Sequence, residues 1–488
     1  MAPKMLMSIF PSFILLLFLG GCSVGPDYEK PQITTDDVWQ ESSHISLTTK
    51  PLKDIAWWSY FHDPILDHLI QEAVKNNLDI EAALAKIRQI RANVSKSIAN
   101  LFPTITGNAA IQENKESMNT ASSSELGTYR VFEAGYNTSW ELDLFGKMRR
   151  ATESENSLFE SSIEDGRSII LTLLSDIATN YIKLRNYQQQ FIVTQELAKA
   201  WKGYIHLQMQ NKKTCHETDI DWLNIQVSYN QAMAQIPIIK SNIQVTINQI
   251  CFLLGKPPGF LNTLLQPPAS IPQADPVIFA NLPGEILLNR PDIKKAERQL
   301  ASETANIGVV KGNLLPKFTL TGGYNWESQK SSDLFTNKSI AWSIGPAVSL
   351  PIFDFGKICT DIDAQYATRD QAFIAFKKAL LTALHDVENS LSIFVGIEQN
   401  MNFLKTSMNN NELAYKLGID RNKSGLCDDL SIAPLKILYL TSRQDYSNAV
   451  CAFSTNMVNL YKALGGGWNV LSVNDKSPNI EQINLKSS

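Results

Sequence analysis

A reaction centre needs side chains of matched type at a usable spacing, and this 488-residue sequence offers few such sets. It has no Gly-x-Ser-x-Gly turn, no Walker loop and no zinc-ligand spacing, and its six histidines, at 44, 62, 68, 206, 216 and 385, are scattered. No catalytic constellation is visible. Two acidic features remain. Asp143 and Asp354 lie in near-identical stretches, ELDLFGK at 141–147 and IFDFGK at 352–357, and a catalytic role for either would need a convergent partner set. Asp428 and Asp429 are adjacent carboxylates, able to bind cations or protons or to favour a helix start.

The remaining chemistry is a thiol. An apolar run over residues 9–19, with Lys4 before it, ends in Leu-Gly-Gly-Cys at 19–22. About ten apolar residues are too few to cross a ~30 Å hydrocarbon layer, so the run reads as a cleaved secretory signal. Its ending resembles the bacterial lipobox, which implies that the Cys22 thiol receives diacylglycerol, that residues 1–21 are removed, and that the new N-terminus gains an N-acyl chain. Ser23 in place of Asp implies sorting to the outer membrane. No other cofactor is expected. Five further cysteines (215, 251, 359, 427, 451) show no Cys-x-x-Cys spacing and read mostly as free thiols packed between helices. With 44 Lys+Arg against 48 Asp+Glu and no basic stripe, nucleic acid is not an expected partner.

The elements that carry these residues occur twice. At an offset of 210, Thr172 meets Thr382, Asp176 meets Asp386, and Leu254-Gly255 meets Leu464-Gly465; at 213, Asp79-Ile80 meets Asp292-Ile293 and Ala92 meets Ala305. Two tandem copies are expected, joined by a proline-dense linker at 256–283 that cannot continue a helix. After Pro103 and Pro316 the chain alternates with period two, most clearly in Phe132, Ala134, Tyr136, Thr138, Trp140 and Leu142. Four strands are predicted, at about 104–113, 128–143, 317–328 and 338–352, each long enough for the ~9–11 residues that span a bilayer.

After the Phe-Gly-Lys turns the period becomes seven. Ile163, Ile170, Ile177, Leu184, Phe191, Ala198 and Ile205 form one series, and Phe373 through Tyr415 form its counterpart. Shorter series run from Trp222 to Ile250 and from Ile432 to Leu460. Such spacing predicts long helices that supercoil against neighbours. Residues 148–212 as one helix would run to ~100 Å, and Pro237 inside a third helix is expected to kink it. Four strands cannot close a barrel alone, because open edges in lipid leave backbone groups unpaired. The barrel must be shared, as eight strands from two chains or twelve from three; eight would leave a filled lumen and twelve a water-filled pore.

The motifs GCSVGPDY at 21–28, ELDLFGK at 141–147, NRPDI at 289–293, LLPKFTLTGGY at 314–324, LPIFDFGK at 350–357 and YKALGGGW at 461–468 lie along the whole chain. In that order they resemble the outer membrane factor family, the TolC-like exit ducts, and within it the lipoprotein (NodT-type) branch. The resemblance implies a mainly α fold with a membrane β-barrel: a homotrimer whose twelve-stranded barrel continues into a twelve-helix α-barrel with a mixed equatorial belt. It implies an exit channel in the outer membrane, extending into the periplasm. Its partners would be a periplasmic adaptor, an inner-membrane pump of RND or MFS type, and outer membrane lipids, and it would not be an enzyme. Alternatives are the outlet of a type I protein secretion system and a non-channel structural coiled-coil lipoprotein.

The resemblance also assigns residues. Gly146 and Gly356 permit the bends from strand to tunnel helix. Two helical hairpin tips, near 211–219 and 422–430, would form the periplasmic mouth and dock the adaptor through Thr214 and Cys215 at one and Ser424, Gly425 and Leu426 at the other. Cys215 stands where the second tip has Gly425, and Cys427 where the family often has an acidic residue, so the periplasmic gate falls to Asp428 and Asp429. The layout is then a signal at 1–21, an anchored segment at 22–61, a first repeat at 62–255, the linker, a second repeat at 284–468 and a tail at 469–488.

Overall fold

The computed structural model describes residues 23–32, 56–115, 117, 128–212, 219–274 and 290–468. The principal elements are helices α1 (Pro64–Asn76) and α2 (Leu78–Ala99), strands β1 (Thr104–Lys115) and β2 (Thr128–Leu142), and helices α3 (Lys147–Lys212), α4 (Asp219–Leu253) and the short α5 (Asn262–Leu265). They continue with α6 (Pro291–Lys311), β3 (Lys317–Ser328), β4 (Ile340–Ser349), α7 (Lys357–Lys423) and α8 (Asp429–Ala463). The duplication is preserved to the residue in places. Strand β3 spans the positions 213 after those of β1, and α8 those 210 after α4.

The chain forms two compact units. The first, drawn from residues 1–31, 86–162 and 295–377, contains one antiparallel sheet in the order β1-β2-β3-β4. Directly paired residues share a face. The pairs Gly107↔Tyr136, Tyr136↔Tyr324 and Tyr324↔Trp342 therefore run across one side, and Asn108↔Gly135, Gly135↔Asn325 and Asn325↔Ala341 across the other. In the same unit α3 and α6 touch through small hydroxyl side chains. The Ser154 and Ser302 Oγ atoms lie 2.8 Å apart, both buried, and Ser161 Oγ donates to the Lys295 carbonyl at 3.1 Å.

The second unit, from residues 32–85, 163–294 and 378–488, holds the larger apolar core. Leu174, Ile177, Leu184, Ile250, Phe394, Phe453 and Leu460 belong to it. No residue of the four seven-spaced series is exposed, which is the behaviour of a supercoil seam. Helix α4 passes through Pro237, and α8 through Pro434, without interruption.

Two contributors to this core carry no period in the sequence. Trp57, Trp58 and Phe61, in a single 3-10 turn, are buried, with Trp57 stacked on Tyr461 at 5.4 Å. The proline-dense stretch after α4 packs as well. Leu261 and Leu265 enter the core, and its carbonyls are claimed by side chains: Pro267 by Arg185 at 2.8 Å, Leu265 by Gln188 at 2.6 Å and Pro272 by Ser454 at 2.7 Å. A segment that cannot continue a helix thus becomes a brace.

Candidate functional site

The sheet is built for two solvents. On one face stand Ile105 and Ile111 from β1, Tyr136 from β2, Tyr324 from β3, and Trp342 and Ile344 from β4; all six are exposed in the chain, Trp342 at 72%. Opposite stand Asn108, Gln112, Glu133, Asn137, Asn325 and Glu327. There Asn137 donates to Asn108 and Asn108 to Glu133, each at 3.0 Å, a polar ladder across the pleats. Exposed aromatic and β-branched residues on one side and hydrogen-bonding residues on the other match a strand set with lipid outside and water inside. Among the described residues, strands β1 and β4 are each paired on one side only.

At the base of the sheet the two repeated turns explain their aspartates. Asp143 accepts from the backbone amides of Met148 at 3.0 Å and Arg149 at 2.9 Å, and Asp354 from those of Gly356 and Ile358, both at 3.0 Å. Both carboxylates satisfy the open N–H groups of a helix start, and the helix positive end favours them. Gly146 and Gly356 have φ of +77° and +80°, a region that a side chain disfavours.

The segment after Cys22, which sequence reasoning treated only as a tether, is strapped to the first unit. Val24 N donates to Phe145 O at 2.9 Å, Arg150 reaches both Val24 O at 3.1 Å and Asp27 at 2.5 Å, and Tyr28 donates to Glu297 at 3.2 Å. Burial would raise the Glu297 carboxyl, but hydrogen bonds and charge from Arg298 and Lys30 outweigh it and hold it below the ordinary range. Burial and the Glu297 charge push the Tyr28 hydroxyl up. In the second unit the Arg of NRPDI is buried. Arg290 donates to Ala463 O at 2.7 Å, closing the end of α8, and to Asp292 at 2.7 and 3.0 Å.

Between α7 and α8 lies the second predicted tip. Leu426 N bonds Arg421 O at 2.9 Å and Gly425 N bonds Asn422 O at 2.8 Å, the paired bonds of a glycine-terminated helix, with Gly425 at φ +73°. Ser424, Gly425 and Leu426 are all exposed. Asp428 is the N-cap of α8: it accepts from Ser431 N at 3.0 Å and from Ser431 Oγ, and these bonds draw its carboxyl below the ordinary range. Asp429 sits in the first turn, exposed. The tip therefore brings Ser424 through Asp429 together, with Asp428 committed to the cap. Thr214 and Cys215, and Cys22, lie outside the described residues. Cys251, Cys359, Cys427 and Cys451 are free thiols; Cys251 is buried, but Cys359 is exposed rather than packed between helices. Among the described residues no helix is long and apolar enough to cross a membrane.

The family model described as outer membrane efflux protein matches residues 69–256 and again 282–466. The chain is 27% identical over 476 residues to the solvent efflux pump outer membrane protein SrpC of Pseudomonas putida, covering 94% of this chain and 98% of that one. It is 26% identical over 461 residues to nodulation protein T of Rhizobium leguminosarum bv. trifolii, covering 94% and 97%. The structure of the outer-membrane channel OprN superimposes with a TM-score of 0.83 at 26% identity, over 92% of this chain and all of that one. The Campylobacter jejuni CmeC outer membrane channel shares the fold, with a TM-score of 0.81 over 94% of this chain at 22% identity. A two-faced sheet, capped strand-to-helix turns and a twice-matched family model agree: the chain belongs to the outer membrane efflux protein family.

Proposed function

We propose that this chain is one protomer of a homotrimeric exit duct in the outer membrane, which receives small compounds from a periplasmic adaptor and an inner-membrane pump of RND or MFS type and releases them outside. The observation that carries the reading is the sheet: apolar on one face, polar on the other, with β1 and β4 as its two edge strands. Three copies supply twelve strands, enough to close a water-filled pore, whereas two supply eight and a filled one. A second apolar row supports assembly: Ile238, Val245 and Phe252 on α4 recur every seven residues and are exposed in the single chain.

The relatives are named for solvent, toluene and antibiotic efflux, which supports small organic compounds as cargo. In this reading Ser424, Gly425 and Leu426, with Thr214 and Cys215, dock the adaptor; Asp428 and Asp429 ring the periplasmic gate; and acylated Cys22 anchors the strapped segment, which intact-mass analysis would register as a lipid adduct. The chain carries its cargo without transforming it. Native mass spectrometry in detergent is the test. A trimer is expected, and a monomer or dimer as the stable species would overturn the reading.

A further inference from the structure

We infer that the water-facing base of the sheet holds a binding site for small organic anions, a carboxylate on an apolar body, with the Lys147 ammonium as its charged anchor. A cavity of about 370 Å³ lies there, wholly within the first unit and in the size range of small-molecule sites. Its walls differ in chemistry. Thr104, Ser139 and Glu141 come from the polar face of β1 and β2 and Asn100 from just past α2, while Phe102, Met148 and Val309 are apolar.

Charge decides the class of ligand. Glu141 is answered by Lys317 at 2.5 Å and the nearby Asp143 by Arg149 at 3.4 Å, whereas Lys147, which also lines the cavity, has no carboxylate partner among the described residues. The ammonium is also held in place. Cβ, Cγ and Cδ of Lys147 lie 2.8, 2.9 and 3.1 Å from where a Gly312 methyl group would stand, so the stem occupies the space that a glycine leaves. A braced cation with hydroxyl and amide groups on one side and a phenyl ring, a thioether and an isopropyl group on the other suits a carboxylate carried on an aromatic or aliphatic body. The second repeat lacks the set: Pro351 stands for Glu141, Leu315 for Phe102 and Lys317 for Thr104. If the polar face lines a pore, the site is a resting place for anionic cargo at the base of the barrel. That role rests on the exit-duct reading; the binding does not.

Saturation-transfer NMR on the full-length protein in detergent, with benzoate as the probe, is the test. Benzoate should bind, and benzamide, the same ring without the charge, about tenfold more weakly. Lys147→Gln should weaken benzoate about tenfold and leave benzamide unchanged, Lys147→Arg should retain benzoate, and Lys115→Gln, at the far end of β1, should change neither. Gly312→Ala keeps the charge but displaces the stem, and should weaken benzoate by a smaller factor. Benzoate that binds Lys147→Gln as well as the unaltered protein, or no better than benzamide, overturns the site. Native mass spectrometry on the same samples separates this from the duct. A trimer that does not bind benzoate overturns the site alone, and a monomer that binds it overturns the duct and leaves the site standing.

Discussion

The sheet and the helical core of the second unit apply the same side chains in opposite directions. In the core, Leu174, Ile177 and Tyr181 are fully buried; in the sheet, Ile105, Ile344 and Trp342 are the exposed groups, and Asn108, Asn137 and Glu133 bond among themselves on the other face. The contrast teaches that burial within one chain measures only half of what holds this protein. Water drives the core together through the area it loses. Beyond ring contacts such as that of Tyr324 with Trp326 at 5.1 Å, the outer face of the sheet is left open by its own chain, and lipid is the solvent that suits it.

Substitutions can break that contrast. The largest effect is expected from Leu174→Asp, which places a carboxylate in a core site with no partner; folded protein should be lost, while Leu174→Ala should cost about 3–5 kcal/mol in guanidinium unfolding of the detergent-solubilised protein. An intermediate effect is expected in β4, where neighbours point to opposite sides. Ile344→Arg should destabilise the membrane-inserted protein by ~2–4 kcal/mol, and Ser343→Arg should leave stability unchanged while altering single-channel conductance. Equal losses from the two would abolish the assignment of faces. The smallest effect belongs to the tip. Asp428→Ala should cost about 1 kcal/mol as a lost helix cap, and Asp429→Ala almost nothing. In planar bilayers, however, the double variant should show weaker cation preference or higher resting conductance, since like carboxylates about 6 Å apart repel by ~3 kcal/mol at an effective dielectric of ~20 and hold cations between them. Traces identical to those of the unaltered protein would leave the pair with its capping role alone.

Much of this was legible because it is periodic. Phe132 through Leu142 alternate since one side of β2 meets an apolar phase, and the seven-spaced series from Ile163 onward is legible because that stripe of α3 stays out of solvent along its length. Strand β1 is fainter, as Gly107 and Ala109 occupy its apolar face between Ile105 and Ile111. What escaped reading is aperiodic and held by distant partners. The Trp57 to Phe61 turn is explained by Tyr461, the brace at Leu261 and Leu265 by Arg185 and Gln188, and the strap after Cys22 by Arg150 and Glu297. No local pattern announces contacts made across tens to hundreds of residues. The aspartates of the repeated turns were visible as a motif, yet their role depended on which amides the helix start left open.

The single-sided pairing of β1 and β4 also sets a kinetic order. A chain entering the bilayer alone would carry two rows of unmet amides and carbonyls into hydrocarbon, at several kcal/mol for each group. Insertion is therefore inseparable from encounter. Its rate should climb steeply with the number of chains waiting at the membrane, and below some supply the unassembled sheet remains in the periplasm with Trp342 and Ile344 facing water and two edges open to mispairing. For the trimer proposed above, the cell's burden is timing: three chains must be kept apart from everything else until they meet each other.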